Sequence, residues 1–424
     1  MLRRLAFLAG VLALFVSLAP AADWPQFRGP NRDGVSKETG LLQEWPKGGP
    51  EKVWTVTGAG DGFGSVAVVN GTIFGMGIRN KKDVLWAKAE SDGKELWVVE
   101  LDDAIAKSPN MGPSGSPTVA EGRVYVVSTK GKLACLDVKD GKRHWQVDYL
   151  KDFGGGVPGW GYCESVLVDG DKVICIPGSA KATVVALKVE NGKEVWRTTV
   201  ANPGGAQGYS SAVKTKVGDT EMYVLLLGKK GGVIGVDVKT GKLLWQYAQV
   251  TNNTANIPTP VVKGELVWTS TGYGDGGSAL LQIVPSGDNF TAKEVVKYGA
   301  KDLQNHHGGM VLVGDHIYFG KDHNQGRPCS VEFKTGEVAW KETKGAAGGN
   351  GSAGVTAADG LLVFNYENGK VVLLAADPKK LDVRGSFDIP EWSRSQNWAH
   401  PVIANGKLFL RDQDKLHCYD IKKK

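Results

Sequence analysis

Three imidazoles fall near one another in the chain, His306 and His307 in LQNHHGGM and His323 in GKDHNQGRP. With Asn305, Lys321, Asp322 and Asn324 beside them, they could ligate a metal, move protons or contact a polar ligand. The plainer use of such histidines is hydrogen bonding to backbone, and the spacing alone leaves all of these open. A second set is aromatic: Trp160 and Tyr162 in GGGVPGWGYCES, Tyr209 in NPGGAQGYSS and Trp398 in SQNWAHP. These rings could stack a flat or sugar-like ligand, or they could fill space. Glu164 and His400 stand within the same stretches, and Asn256 lies in a comparable one, NNTANIPTP. A carboxylate such as Glu164 would either meet a ligand or pair with a neighbouring cation or amides.

Other chemistries have no motif. The five cysteines include no CxxC, no CxxCH and no adjacent pair, so neither a zinc ribbon nor attached haem is indicated. Cys163 and Cys175 flank the VDGDK turn and could form a cross-strand disulfide in an oxidising compartment. GGGVPG has no following helix and no Lys-Ser or Lys-Thr, so it is no phosphate cradle. The formal charge of +6 is scattered rather than clustered, which excludes a nucleic-acid footprint. Arg3 and Arg4 precede an apolar run from Leu5 to Leu18 and the small residues Ala19 to Ala21. Residues 1–21 therefore read as a signal peptide cut after Ala21, and the run is too short to span a bilayer, which needs about 20 apolar residues. A periplasmic or secreted protein without a membrane span is expected.

The elements that must position these residues are set by an internal repeat. An eleven-residue frame recurs as AKAESDGKELW, CLDVKDGKRHW, ALKVENGKEVW, GVDVKTGKLLW and SVEFKTGEVAW, ending at Trp97, Trp145, Trp196, Trp245 and Trp340. The first four copies are 48, 51 and 49 residues apart, and the gap of 95 to the last holds a degenerate copy around Val295 to Tyr298. Another degenerate copy falls near Phe387. Each frame is an apolar strand, a Gly-containing turn and a strand carrying Trp, and a second hairpin such as PTVAEGRVYVV lies upstream of it. Four short antiparallel strands per period of about 40 to 50 residues make a propeller blade.

The count is eight. The last copy starts at Trp398 and stops at KLHCYD, one strand short, and EKVWTV at residues 51–56 supplies that strand together with Trp54. An all-β, eight-bladed β-propeller of four-stranded antiparallel blades, closed by pairing of the N- and C-terminal strands, occupies residues 51–424; seven blades would leave one copy unused. The frame tryptophans Trp54, Trp97, Trp145, Trp196, Trp245 and Trp340 dock blade on blade, and the first frame position is small, as at Cys135 and Cys418. Residues 22–50 show no strand pattern and are expected to form an arm packed across a face or side of the ring, protected from protease at Arg32.

Strand order sorts the loops. Turns such as VNG, AEG and TGK are short and interchangeable and share one face, whereas the long, dissimilar connections share the other. That second, top face collects Trp160, Tyr162, Glu164, Tyr209, Asn256, Asn305, His306, His307, Asp322, His323, Asn324, Trp398 and His400, and it is where a ligand is expected.

The stretches DWPQFRGPNRDGVSKETGLLQEWP, GWGYCES, TANIPTP, QNHHGG, NWAHP and KLHCYD, with the repeated frames, resemble a large group of exported bacterial proteins, abundant in planctomycetes, with pyrroloquinoline-quinone-binding-like β-propeller repeats. The wider superfamily includes quinoprotein alcohol dehydrogenases and the assembly factor BamB. The resemblance implies fold and export, and it leaves function open. Its catalytic branch holds a quinone between a Trp and a disulfide of adjacent cysteines, with calcium on Glu and Asn and an Asp as base. Here no cysteines are adjacent, and Glu164, Asn305 and Asp322 have no alignment to those roles. The expectation is a monomeric binding or scaffold protein that holds a protein, glycan or small polar ligand on the top face, with no cofactor. A pyrroloquinoline-quinone- and calcium-dependent alcohol dehydrogenase is the alternative, and a metal-assisted hydrolase or lyase on His306, His307, His323 and His400 is a third class.

Overall fold

Apolar residues alternate along every repeat and end in turns that reverse the chain, so each repeat closes into one antiparallel sheet. The computed structural model describes residues 22–105, 112–204 and 208–424. The signal peptide and its cleavage site after Ala21 lie outside them. The sheets are eight, six of them built wholly from consecutive strands. Blades 1 to 7 span 67–103, 118–148, 167–198, 213–247, 261–299, 311–341 and 353–388. Blade 8 takes three strands from 402–420 and its outermost strand from Glu51–Val56, with Trp54 opposite Cys418. Pairing the two ends completes the last blade and closes the ring, leaving only the short outer edges of the blades.

The frame is visible in the register. The small first residue faces the tryptophan across the sheet in Ala87–Trp97, Cys135–Trp145, Ala186–Trp196, Gly235–Trp245 and Ser330–Trp340, with a bulge beside each pair. A Cβ on Gly235 would lie 2.0 Å from Trp245 Nε1, so nothing larger fits there. The indole N–H groups of Trp54, Trp97, Trp145 and Trp340 donate to carbonyls of the following blade: Glu90 (3.1 Å), Val138 (3.1 Å), Val189 (2.9 Å) and Asp377 (3.0 Å). Trp245 instead reaches Met222 Sδ in its own blade. The turn glycine of the next blade lies on the indole: Gly141 on Trp97, Gly192 on Trp145, Gly241 on Trp196, all at positive φ.

Blade 5 carries Val296 in the tryptophan place, opposite Leu280. In blade 7 the bulge falls so that Leu373 faces Gly385, and the degenerate copy ends there and not at Phe387. The missing ring is replaced from the arm, because Trp45 lies on Gly385 and meets Phe387 edge-on at 5.4 Å.

Residues 24–36 run inside the ring, and residues 41–45 then pass along the outer strand of blade 7 and the C-terminal segment to reach blade 8. Trp24 bridges to Val68 of blade 1, Arg32 donates to Ser165 and Val166 of blade 3, and Val35–Ser36 pairs in parallel with Ala357 and Ala358 of blade 7. All of these partners belong to the innermost strands or to the residues leading into them, so the arm closes the central channel from within. The innermost strands are also laced to one another at their top ends. Ser116 N donates to Ser165 Oγ (2.8 Å), Ser165 N to Ser211 Oγ (2.9 Å) and Ser211 N to Thr259 Oγ1 (3.2 Å), which links blades 2 to 5 in a row.

Candidate functional site

The top connections converge on a cavity of about 370 Å³ over the channel, floored by Phe27 and Arg28 of the arm. Six aromatic rings wall it: Phe27, Phe63, Trp160, Tyr209, Tyr273 and Trp398. Phe63 and Trp398 stack at 4.5 Å, and Trp160, 39 % exposed at the lip, meets Tyr209 edge-on at 5.9 Å. Tyr273 stands on its loop at a φ of 69°, a costly angle for an aromatic residue, and packs on both His306 (4.9 Å) and His323 (4.7 Å).

The histidines form one contact group. His306 and His307 rings lie 3.8 Å apart, with their Nε2 atoms 3.1 Å apart, and His306 and His323 rings lie 4.1 Å apart. His306 Nδ1 pairs with Ser352 Oγ at 2.8 Å, and His400 Nε2 reaches the His307 carbonyl at 3.4 Å. Burial disfavours their cationic forms, holding His307 down to about 3 and His400 down to about 4, with His306 and His323 lowered as well. At neutral pH these are uncharged donors and acceptors. Among the described residues, no three His, Cys, Asp or Glu side chains are grouped so that they could hold a metal ion.

Of the residues expected from sequence, Trp160, Tyr209, His306, His307, His323, Asn324, Trp398 and His400 line this cavity. Asn256, Asn305 and Asp322 do not. Asn256 exchanges hydrogen bonds with the backbone of Asn252, Asn305 donates to Gly308 and Gly320 carbonyls, and Asp322 is paired with Lys321 (2.6 Å) and Arg327 (3.1 Å). Tyr162 and Glu164 are turned away by the short helix Tyr149–Phe153, capped by Asp148 and closed by Gly154 at a φ of 66°. Glu164 Oε1 accepts from Tyr149 OH (2.7 Å) and Ile176 N (2.9 Å), and Tyr162 OH donates to the Pro177 carbonyl. Both residues line a separate cavity of about 560 Å³ beside the Gly-rich loop. Burial raises Glu164 to about 7 against those hydrogen bonds.

Cys163 and Cys175 do not pair; all five cysteines are free. With Leu167 opposite Ile174, Cys163 lies three residues short of the position across from Cys175, and it borders the cavity while Cys175 is buried inside the blade. Sequence reasoning missed Phe27, Arg28, Phe63, Tyr273 and Glu367. Phe63 and Tyr273 stand in long top loops, GAGDGFGS and GYGDGGSA, and such loops were the available signal. Glu367 sits in a short loop and receives the Trp398 indole N–H. Nothing in the arm's sequence places Phe27 and Arg28 inside the ring.

A family described as outer membrane protein assembly factor BamB matches residues 46–206 and 81–342. BamB of Yersinia pestis is 20% identical over 379 residues, 86% of this chain and 77% of that protein. The dehydrogenase subunit of a quinone-type alcohol dehydrogenase from Acetobacter aceti is 30% identical over 156 residues, 34% of this chain and only 20% of its own length. The chain thus spans a small part of that relative. Among solved structures, quinohemoprotein alcohol dehydrogenase from Comamonas testosteroni superposes with a TM-score of 0.65 at 14% identity, covering 95% of this chain and 81% of that one. BamB from Moraxella catarrhalis gives 0.61 at 14% identity, covering 88% and 98%. These likenesses are in fold.

Proposed function

The chain belongs to the family described as outer membrane protein assembly factor BamB, and from that premise we propose that it is an exported binding propeller holding a ligand, or side chains of a protein partner, in the top-face funnel. The supporting observation is the funnel itself: six rings around about 370 Å³, on a rigid scaffold, with its imidazoles kept neutral. Aromatic walls with a few polar groups suit stacking on a flat or pyranose ring. Export is supported by the Leu5 to Ala21 segment, and no helix among the described residues is long and apolar enough to cross a membrane.

The quinone-dehydrogenase alternative fits the residues poorly. The chain has no adjacent cysteines, and Glu164, Asn305 and Asp322 are bonded to Tyr149 and Ile176, to Gly308 and Gly320, and to Lys321 and Arg327, off the funnel lining. The residues therefore do not match a calcium–quinone site, and no reaction is assigned through one. A fluorescence titration of the mature chain with monosaccharides, disaccharides and nucleobases tests the binding reading. Quenching that disappears in Trp160→Ala and Trp398→Ala is expected. A bound-cofactor spectrum with alcohol-dependent dye reduction, after incubation with pyrroloquinoline quinone and calcium, would replace it with the dehydrogenase.

A further inference from the structure

Resting on the funnel as the binding site, we propose that Arg28 anchors an anion subsite at its base, and that the ligands are ring compounds bearing a carboxylate. Arg28 is 3% exposed yet lines the cavity. Its Nη2 donates to the carbonyls of Asp33 (2.9 Å) and Met310, its Nε has no partner, and it makes no ion pair among the described residues. Asp33, the acid whose field it feels, turns its own Oδ1 to Val35 N. A second guanidinium, Arg32, is buried on the same arm, also on carbonyls, and the two repel. Buried cations are normally neutralised by an acid, and breaking that rule is costly, so a cation left open to a cavity marks the place of a missing anion.

The surroundings select the rest of the ligand. Phe27, the neighbour of Arg28, packs at 5.6 Å from His400, and Trp398 at 4.2 Å from His307, so rings flank the charge on two sides. His400 Nδ1 is likewise buried without a partner. The acid of the lining, Glu367, accepts the Trp398 indole N–H, and burial pushes its carboxyl toward the neutral form, so it does not offset Arg28. With Nη2 held by the two carbonyls, Nη1 is the nitrogen left to meet a carboxylate oxygen, and a charge-assisted hydrogen bond of that kind is stronger than one to a neutral hydroxyl. A uronic acid from an acidic polysaccharide and an aromatic acid present the same chemistry.

Calorimetric titration of the mature chain with D-glucuronate, benzoate and D-glucose separates these cases. At least one acid should bind tenfold or more tightly than D-glucose, and the identity of that acid tells the sugar source from the aromatic one. Arg28→Gln should remove the preference, and Arg28→Lys should keep part of it. Equal binding of glucose and the acids, or acid binding untouched in Arg28→Gln, overturns the anion subsite and leaves the funnel reading intact. No binding by any of the three overturns both. Should Arg28→Gln fail to fold, the glucuronate-to-glucose ratio of the unaltered chain and its fall with added sodium chloride decide the matter.

Discussion

Trp45 lies on Gly385, so a tryptophan from the N-terminal arm fills the place that the seventh repeat leaves empty. A Cβ on Gly385 would come within 2.7 Å of Trp45 Cβ, and Trp45 N donates to the neighbouring Arg384 carbonyl at 2.9 Å. The indole is 7% exposed and packs among Leu361, Val363, Phe387 and Tyr419 between blades 7 and 8. Trp45→Ala is expected to cost about 3–5 kcal/mol of unfolding free energy by chemical denaturation. Gly385→Ala should also destabilise, because its Cβ would collide with the Cβ and backbone of Trp45 and displace that residue, and the two changes together should cost less than their sum. A loss below about 1 kcal/mol for Trp45→Ala would remove the arm from the core.

The turn glycines offer a controlled comparison. Gly141 and Gly122 both sit at positive φ, 71° and 74°, but a Cβ on Gly141 meets Trp97 at 2.9 Å and Val99 Cγ2 at 2.6 Å, whereas one on Gly122 meets nothing within 4 Å. Gly122→Ala should lose only the backbone cost of about 1 kcal/mol. Gly141→Ala should lose a further 1–3 kcal/mol or so from overpacking the docked indole. Equal losses in thermal or denaturant melts would mean that the glycine is kept for its φ alone.

These positions also show what a reader of the sequence can and cannot recover. The blades were legible because Asp-Gly, Asn-Gly and Thr-Gly turns and the cross-strand small–Trp pairs act within a few residues, as at Ala87 and Trp97. Gly385 was illegible because its partner, Trp45, is distant in the chain and obeys no repeat. The top face was legible in the same way, so His306, His307, Trp398 and His400 fall on the cavity. Tyr162 and Glu164 do not, because Tyr149 and Pro177 compete for their polar atoms. Arg28 enters from the arm, which has no period to read.

Cysteine accessibility checks the blade 3 register. Cys163 is half-buried at the funnel wall with its thiol pushed up to about 12 by burial, and the other four are buried. The folded protein should react with an aromatic disulfide reagent only slowly and at less than one thiol, and the denatured protein at all five. Mass spectrometry should show no change on reduction; a mass gain would reveal a disulfide and contradict the Leu167–Ile174 pairing.

Acid stability should depend on the funnel histidines, and the sign follows from their burial. His400, with a folded value of about 4 against 6.5 unfolded, takes up its proton first in the unfolded chain as pH falls below 6.5. Unfolding therefore becomes progressively easier down to pH 4, by at most about 3 kcal/mol for this group. His307, lowered to about 3, acts in the same direction over a wider window. Glu164 acts oppositely: raised to about 7 from 4.5, it binds its proton first in the folded chain, so its contribution grows as pH falls from 7 toward 4.5. His400→Asn should accordingly gain stability relative to the unaltered protein as pH falls from 6.5 to 4, and Glu164→Gln should gain relative to it as pH rises from 4.5 to 7, with no further change above 7. Denaturant midpoints measured across that range decide both. A His400→Asn difference that stays flat with pH would show that the imidazole titrates normally in the folded state, and the neutral character of the funnel would then be lost.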